Sequence, residues 1–352
     1  MNLAVDHEIS EGLIGTLEGV YSKGINDVVF ENLNSVKVGE SKYGRPFYGP
    51  AFGFSTASPA RVNENFTNAL LLSNTNENYQ YSITASLEKR FDFGLFADLS
   101  YTYNRAMNVN NGTSSRAISN WQFNENVDIN DPLLGTSDFE RRHRILGVFS
   151  YEFSWLERMA TTISLIYDGR SGTPFSWIYL GNANGDTERF NDLIYVPESE
   201  EEVVLLSNNW EELDSWIESE ESVNEFRGGF VDRNSAREPW TNYFDLRISQ
   251  AIETFSGQSV EFSASMFNVL NFLNEEWGVR KGTAFNNHTV MFISGYVDQE
   301  FINENPERGL SADDIGEPII SFDPEDTTDD EIFSVSDLSS RWQMQFSVRY
   351  NF

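Results

Sequence analysis

The chain has 352 residues, of which 39% are apolar and 14% aromatic, and its formal net charge is −31. No run approaches the 18 consecutive apolar residues of a membrane-spanning helix, and the absence of cysteine excludes disulfides and thiol catalysis. Residues 198–225 and 298–331 contribute −11 and −12 of the charge, so we predict that they form two loops that are solvated or attract cations. We predict no nucleic-acid partner, because phosphate binding needs clustered cationic residues.

The predicted elements are strands in which every second residue is apolar. Part of a strand precedes residue 10, and a long strand follows a short turn within residues 9–32. The same alternation continues in seven further segments, at residues 79–87, 95–103, 145–153, 161–169, 243–252, 260–266 and 341–352. A period of two predicts strands with one apolar and one polar face. We count about eight strands, with part of a ninth at the N-terminus.

The connections between these strands alternate in length. Short links join 87 to 94, 153 to 160 and 252 to 260, whereas long polar stretches occupy 104–142, 169–240 and 270–340. Short turns on one side and long loops on the other are typical of outer-membrane barrels. An eleven-residue strand tilted by about 40° rises roughly 28 Å, enough for an apolar band of about 25 Å. The sequence therefore predicts an all-β, antiparallel transmembrane β-barrel with short periplasmic turns and long extracellular loops.

Two aromatic residues of the final strand suggest membrane interfaces. Trp342 lies near its beginning and Tyr350 near its end, and we predict that they join two interfacial belts. In a soluble sheet the same residues would be ordinary core.

The loop after residue 169 contains two predicted elements. Residues 173–180, TPFSWIYL, predict an outward extension of a strand. Residues 209–221, NWEELDSWIESEE, predict a helix capped by Asn208 or Asn209, with one apolar stripe formed by Leu213, Trp216 and Ile217.

Few residues suggest chemistry. His7, His143 and His288 are far apart in sequence and lack metal-ligand spacing, although a catalytic histidine on a barrel rim is conceivable. Arg141, Arg142 and Arg144 form a basic rim. They could contact an anionic ligand or lipopolysaccharide, or could pair with the nearby Asp138 and Glu140.

Residues 182–192 carry several oxygen-bearing side chains around Gly185. Asn182, Asn184, Asp186 and Asp192 form a weak candidate for a calcium loop, which needs six to eight oxygens. The bidentate glutamate of an EF-hand is missing, and an Asn-Gly turn is the alternative interpretation.

Several segments together resemble a known family. They are SDFERRHRILGVFSYEF, FNDLIYVP, NSAREPWTNYFDLRIS, MFNVLNFLN and the closing SRWQMQFSVRYNF. In this order they resemble the C-terminal barrel half of TonB-dependent outer-membrane receptors, most closely the Oar-like type of Bacteroidota, which carries an N-terminal carboxypeptidase-regulatory-like domain. The resemblance extends along nearly the whole chain.

This resemblance implies a 22-stranded barrel with an N-terminal plug, located in the outer membrane of a Gram-negative bacterium and driven by the TonB system. It implies that Tyr350 and Phe352 form the signal read by the barrel-assembly machinery. Because we find no plug domain, TonB-contacting segment or signal peptide, residues 1–352 are expected to be the C-terminal portion of such a receptor, inactive in transport alone.

No enzymatic activity and no cofactor are expected, and the ligand is not specified. The alternatives are an independent small outer-membrane barrel with a structural or adhesive role, and a barrel-rim hydrolase.

Overall fold

The computed structural model describes residues 1–50, 52–55, 57–206, 210–255 and 257–352. In these residues nine long antiparallel strands form one sheet, and each strand pairs with its neighbours along the chain. The prediction was about eight strands with part of a ninth. In chain order the strands are β1 (Asn2–Ser10), β2 (Leu13–Lys23), β3 (Tyr79–Arg90), β4 (Leu95–Asn108), β5 (His143–Leu156), β6 (Met159–Arg170), β7 (Thr241–Glu253), β8 (Ser259–Phe267) and β9 (Gln343–Asn351).

One face of this sheet is apolar and uncovered. The strand register keeps the apolar residues on the same side, so that Leu87 lies opposite Leu99. The side chains of Phe149, Leu99 and Phe346 are 41%, 49% and 75% exposed. A water-soluble sheet buries its apolar face against a second layer. These side chains have no such layer over them, as expected if they contact hydrocarbon.

The opposite face is polar and its side chains pair with one another. The hydroxyls of Ser150 and Ser164 are 3.0 Å apart on neighbouring strands. Farther along the sheet Arg247 binds Glu261 with a distance of 3.1 Å. Hydroxyl pairs and ion pairs of this kind suit the water-facing lumen of a barrel.

The connections sort by length as predicted. The short turns at residues 11–12, 91–94, 157–158 and 254–258 lie at one end of the sheet. At the other end lie four long segments, 24–78, 109–142, 171–240 and 268–342, which we call the loop domain.

The predicted strand at residues 9–32 is interrupted. β2 ends at Lys23, and Asp27–Asn32 pairs instead with Leu70–Thr75 in a separate hairpin. The interruption is at Gly24, where a Cβ atom would lie 1.9 Å from a carboxylate oxygen of Asp27. A larger residue at this position would displace the Asp27 side chain, a constraint that the alternation did not reveal.

The loop domain has its own sheet and core. Its five-stranded sheet runs in the order Val204–Leu205, Pro318–Phe322, Asn287–Tyr296, Pro174–Leu180 and Ala236–Arg237. The predicted segment TPFSWIYL supplies the strand Pro174–Leu180. It does not extend the β6 ladder as predicted, because it pairs within the loop domain. Both of its faces are buried, since Ser176 and Ile178 are as inaccessible as Trp177.

The remaining elements are short. Two-residue strands pair as Gly39–Glu40 with Pro46–Phe47, Tyr195–Val196 with Gly229–Phe230, and Lys281–Gly282 with Ser334–Val335, while Gly135–Thr136 adds to β4. The α-helices are α1 (Ala117–Gln122), α2 (Trp210–Ser219), α3 (Glu221–Asn224), α4 (Val269–Leu273), α5 (Gln299–Glu304), α6 (Asp329–Ile332) and α7 (Asp337–Ser340). Single 3-10 turns form at Glu200–Glu202, Pro306–Arg308, Ala312–Asp314 and Pro324–Thr327. In the described ranges no helix has the length and apolar character needed to cross a membrane.

Helix α2 follows the prediction. Leu213, Trp216 and Ile217 are all buried, and the Trp216 ring packs edge-on against Trp177 at 5.6 Å between centroids. The predicted cap, Asn208 or Asn209, lies outside the described residues. The apolar stripe therefore docks the helix on the loop-domain sheet.

The two edge strands of the long sheet do not meet. β1 pairs with β2 and β9 pairs with β8, and within the described residues neither has a second long partner. Since the sheet has nine antiparallel strands, β1 and β9 run in the same direction.

Candidate functional site

The basic rim lies where the barrel strands enter the loop domain. Arg142 pairs with Glu140 at 3.0 Å, and Arg144 makes two hydrogen bonds to Asp168, of 2.9 and 3.1 Å. Arg141 donates only to the backbone carbonyl of Glu140. The predicted pairing is therefore present for Arg142, and Arg144 has a different partner. Within the described ranges Arg141 forms no ion pair with a carboxylate.

Glu140 is a buried hub for several cations. Its Oε1 contacts Arg142, Arg105 at 3.6 Å and Arg237, while its Oε2 accepts a 2.8 Å hydrogen bond from the backbone N–H of Ala106. Asp138, the other predicted partner of the rim, instead accepts from the side-chain amide of Asn234 at 2.8 Å. The rim is thus built by residues of four chain segments, since Asp168 also pairs with Arg144, and sequence proximity alone could not identify them.

A buried ion pair joins two loop segments. Arg45 Nη1 lies 2.8 Å from Asp192 Oδ1, and both side chains are 0% exposed. The guanidinium also donates to the carbonyl of Leu193 and lies 4.8 Å from the ring centroid of Phe230. Asp192 Oδ2 accepts from the backbone N–H of Ala183 at 2.7 Å. This pair therefore fixes the residues 182–192 to the segment around Arg45.

The candidate calcium loop has its oxygens occupied by hydrogen-bond donors. Asn182 Oδ1 accepts from the N–H of Gly185 at 2.7 Å, and Asp186 accepts from the Asn184 amide at 3.0 Å. Gly185 has a φ of 78°, as an Asn-Gly turn requires. Burial, helped by the neighbouring carboxylate of Asp192, raises the pKa of Asp186 well above its usual range. The geometry is that of the turn, and the described part of the chain contains no cluster of three His, Asp or Glu residues able to hold a metal.

A second buried polar group lies between loop segments. Arg233 donates to the carbonyl of Val109 at 2.8 Å and to the side chain of Asn124. The neighbouring Glu125 accepts from the Asn287 amide at 2.9 Å, and burial raises the pKa of its carboxyl to about 7. Buried polar groups must be paired to be tolerated, so these contacts join three of the four loop segments, 109–142, 171–240 and 268–342.

The histidines lie on separate elements. His143 begins β5 and its Nδ1 is 2.8 Å from the hydroxyl of Tyr101, whereas His288 contacts the backbone carbonyl of Asp326 in the loop domain. His7 lies on the apolar face of β1, directly opposite Gly15. The structure therefore offers no arrangement that unites them.

Aromatic rings form a row at each end of the long sheet. The row at the loop end contains the contacting pairs Tyr81–Tyr103, Tyr101–His143, Tyr167–Phe244 and Phe272–Trp342. The row at the turn end contains Phe91, Phe93, Tyr151, Phe153, Trp155, Tyr350 and Phe352. The predicted Trp342 and Tyr350 thus fall in different rows. Most other members lie at strand ends, whereas Phe91 and Phe93 lie in a short turn and Phe272 lies on helix α4.

The acidic segments lie on the loop domain. Most of their carboxylates are exposed, but Glu317 is buried and pairs with Lys42 at 2.8 Å. Burial raises the pKa of Glu317 despite this pair. The remaining surface is strongly anionic, in contrast to the arginine-rich rim below it.

Comparison with known proteins agrees with this architecture. A family model described as an outer membrane beta barrel domain matches residues 1–287, which include β1 to β8 and most of the loop domain. No curated protein matches the chain. With an uncovered apolar face, two aromatic rows and loops sorted by length, the chain belongs to the outer membrane beta barrel domain family and is a bacterial outer-membrane protein.

Proposed function

We propose that the chain is the C-terminal part of the barrel wall of a TonB-dependent receptor in a Gram-negative bacterium, and that it serves solute uptake without enzymatic activity or cofactor. The observation that carries this proposal is that, among the described residues, the outer edges of β1 and β9 have no strand partner. In hydrocarbon no water can satisfy the N–H and C=O groups of an edge strand, so a free edge costs several kcal/mol per group. Further strands must complete the wall.

The direction of the edge strands indicates how the wall is completed. β1 and β9 are parallel, so direct closure of these nine strands would need a parallel ladder. Bacterial single-chain barrels consist of an even number of antiparallel strands. An odd number of additional strands would make the total even and would let every ladder in the closed wall be antiparallel. A wall with strands beyond these nine is therefore favoured over a barrel closed by these nine strands alone.

The loop domain suits the extracellular part of such a receptor. It has its own buried core and lies at one end of the wall, opposite the short turns. Solute would first contact these loops, and the plug would supply the TonB contact. The exposed Tyr350 and Phe352 at the turn end would be read by the barrel-assembly machinery.

Cysteine cross-linking tests whether the nine strands close on themselves. The chain has no native cysteine. Asp6→Cys, combined in turn with Gln345→Cys, Ser347→Cys and Arg349→Cys, places thiols on the polar faces of β1 and β9. We expect no disulfide within one chain in the outer membrane. The control pair Ser263→Cys with Ser347→Cys should cross-link, because these residues are directly opposite on β8 and β9. A cross-link between β1 and β9 in a monomer would contradict the larger wall.

Coupling to TonB needs a separate measurement. The full-length outer-membrane protein that contains this chain should bind the isolated periplasmic domain of TonB in surface plasmon resonance, while a porin from the same membrane should not. Absence of binding would remove the TonB-dependent mechanism and leave the barrel assignment intact.

A further inference from the structure

A small cleft at the rim contains three arginines. Its volume is about 50 Å³, and it is lined by Arg141, Arg170, Ser171, Gly172, Thr173, Glu238, Thr241 and Arg280. The cleft lies where β6 ends and β7 begins, beneath the loop domain. None of these arginines belongs to the Glu140 hub.

The three arginines have no carboxylate partner. Other rim arginines form ion pairs, but in the described residues no Asp or Glu oxygen lies within 4.0 Å of Arg141, Arg170 or Arg280. Arg170 instead lies 5.5 Å from the ring centroid of Tyr243, and Arg141 donates to a backbone carbonyl. In a chain with a net charge of −31, unpaired arginines gathered in one cleft are unusual.

The acidic residue that lines the cleft, Glu238, already accepts hydrogen bonds from the protein backbone. Glu238 is buried, and its carboxylate accepts from the backbone N–H groups of Thr173 at 3.3 Å and Thr283 at 3.0 Å. It compensates one of three positive charges at most. Burial lowers the pKa of Arg141, and repulsion by the nearby Arg280 and Arg170 lowers it further, while attraction by Glu238 raises it. An incoming anion would relieve this repulsion.

One lining residue of the cleft, Arg170, lies on the polar side of the wall. Arg170 lies directly opposite Thr241 in the ladder, on the same face as Asp168 and Ser164. This face does not contact lipid, and it does not carry the aromatic rows. An anion in the cleft would therefore come from the lumen or its outer mouth.

We propose that Arg141, Arg170 and Arg280 form an oxyanion-binding subsite at the mouth of the lumen, which takes a carboxylate or phosphate group of a larger solute. Guanidinium groups bind both oxyanions through paired N–H donors. The volume accommodates one such group and not a whole solute, while the hydroxyls of Ser171, Thr173 and Thr241 can add donors. Oxyanion binding stands independently of transport, and the role of the anion as part of the transported solute rests on the proposed function.

Titration calorimetry tests the subsite on the full-length protein purified from the outer membrane in detergent. Inorganic phosphate and acetate are titrated separately in a low-salt buffer, because salt screens such contacts. We expect saturable binding of at least one probe, and the tighter one identifies the preferred class of anion. Arg141→Gln and Arg280→Gln should each weaken binding by about tenfold or more, the contribution of one charge-assisted hydrogen bond. Arg247→Gln is the matched control, because Arg247 lies on the same face but pairs with Glu261.

Two results would overturn the subsite: no saturable binding of either probe, or an equal loss of affinity in Arg247→Gln. If Arg141→Gln fails to assemble, as judged by circular dichroism, Arg280→Gln alone decides, since its backbone is held by contacts that the substitution leaves in place. The measurement needs neither TonB nor an energised membrane. Its failure is therefore distinct from a failure of the transport proposal.

Discussion

Replacing Phe149 with arginine is expected to lower the free energy of unfolding of the membrane-inserted protein by about 2–4 kcal/mol, the cost of a cation on the lipid face near the bilayer midplane. Phe149 lies at the middle of β5, on the uncovered apolar face. An arginine there would have to reach an interface past several apolar neighbours. The expected loss is large relative to the total stability of an ordinary domain.

The neighbouring Ser150→Arg variant is the matched control. Ser150 occupies the same depth on the same strand but points to the polar face, where its hydroxyl contacts Ser164. Loss of that contact should cost about 1 kcal/mol or less. Reversible denaturant unfolding in lipid vesicles measures both variants. Equal destabilisation by the two substitutions would show that the apolar face does not meet lipid.

The long strands were predictable because their signal is local. Alternation in β5 or β9 depends only on which face each residue occupies, and the membrane imposes that rule along the whole strand. The helix α2 was predictable for the same reason, since Leu213, Trp216 and Ile217 are spaced three and four residues apart and form one stripe. Such patterns do not require knowledge of the partner element.

The loop domain was not predictable in the same way. Its strand Pro174–Leu180 is buried on both faces, so the pattern that predicted a strand did not show which strands it pairs with. It pairs with Asn287–Tyr296, more than 100 residues away along the chain. The long polar stretches predicted as loops therefore conceal a core that depends on distant contacts.

The rim shows the same limit at the level of single residues. The run from Arg141 to Arg144 was visible in the sequence, but neighbouring arginines take different partners. Arg170 and Arg280, which complete the cleft with Arg141, lie far from it in sequence. The three arginines come together only because β6 pairs with β7 and because the last loop segment, 268–342, folds back to the end of these strands.

Breaking the ion pair between Arg45 and Asp192 is expected to destabilise the loop domain by about 3–5 kcal/mol, as for other buried pairs that lose one partner. Arg45→Met would leave the Asp192 carboxylate without its cation in a site that water does not reach. The loss arises mainly from that unpaired charge, because a well-packed apolar pair can be as stable as an ion pair. Hydrogen exchange of the amides of Ala183 and Leu193, next to the pair, reports local opening.

The double variant Arg45→Met with Asp192→Leu separates charge from packing. It should recover part of the stability lost in Arg45→Met, since it removes the unpaired carboxylate along with the cation. Arg227→Met, which breaks the partly exposed pair with Asp214, is the matched control and should cost about 1 kcal/mol or less. Amide exchange on the long sheet should stay unchanged in all three variants, because the pair lies within the loop domain. An Arg45→Met protein that exchanges like the wild type would show that this pair does not hold residues 182–192 in place.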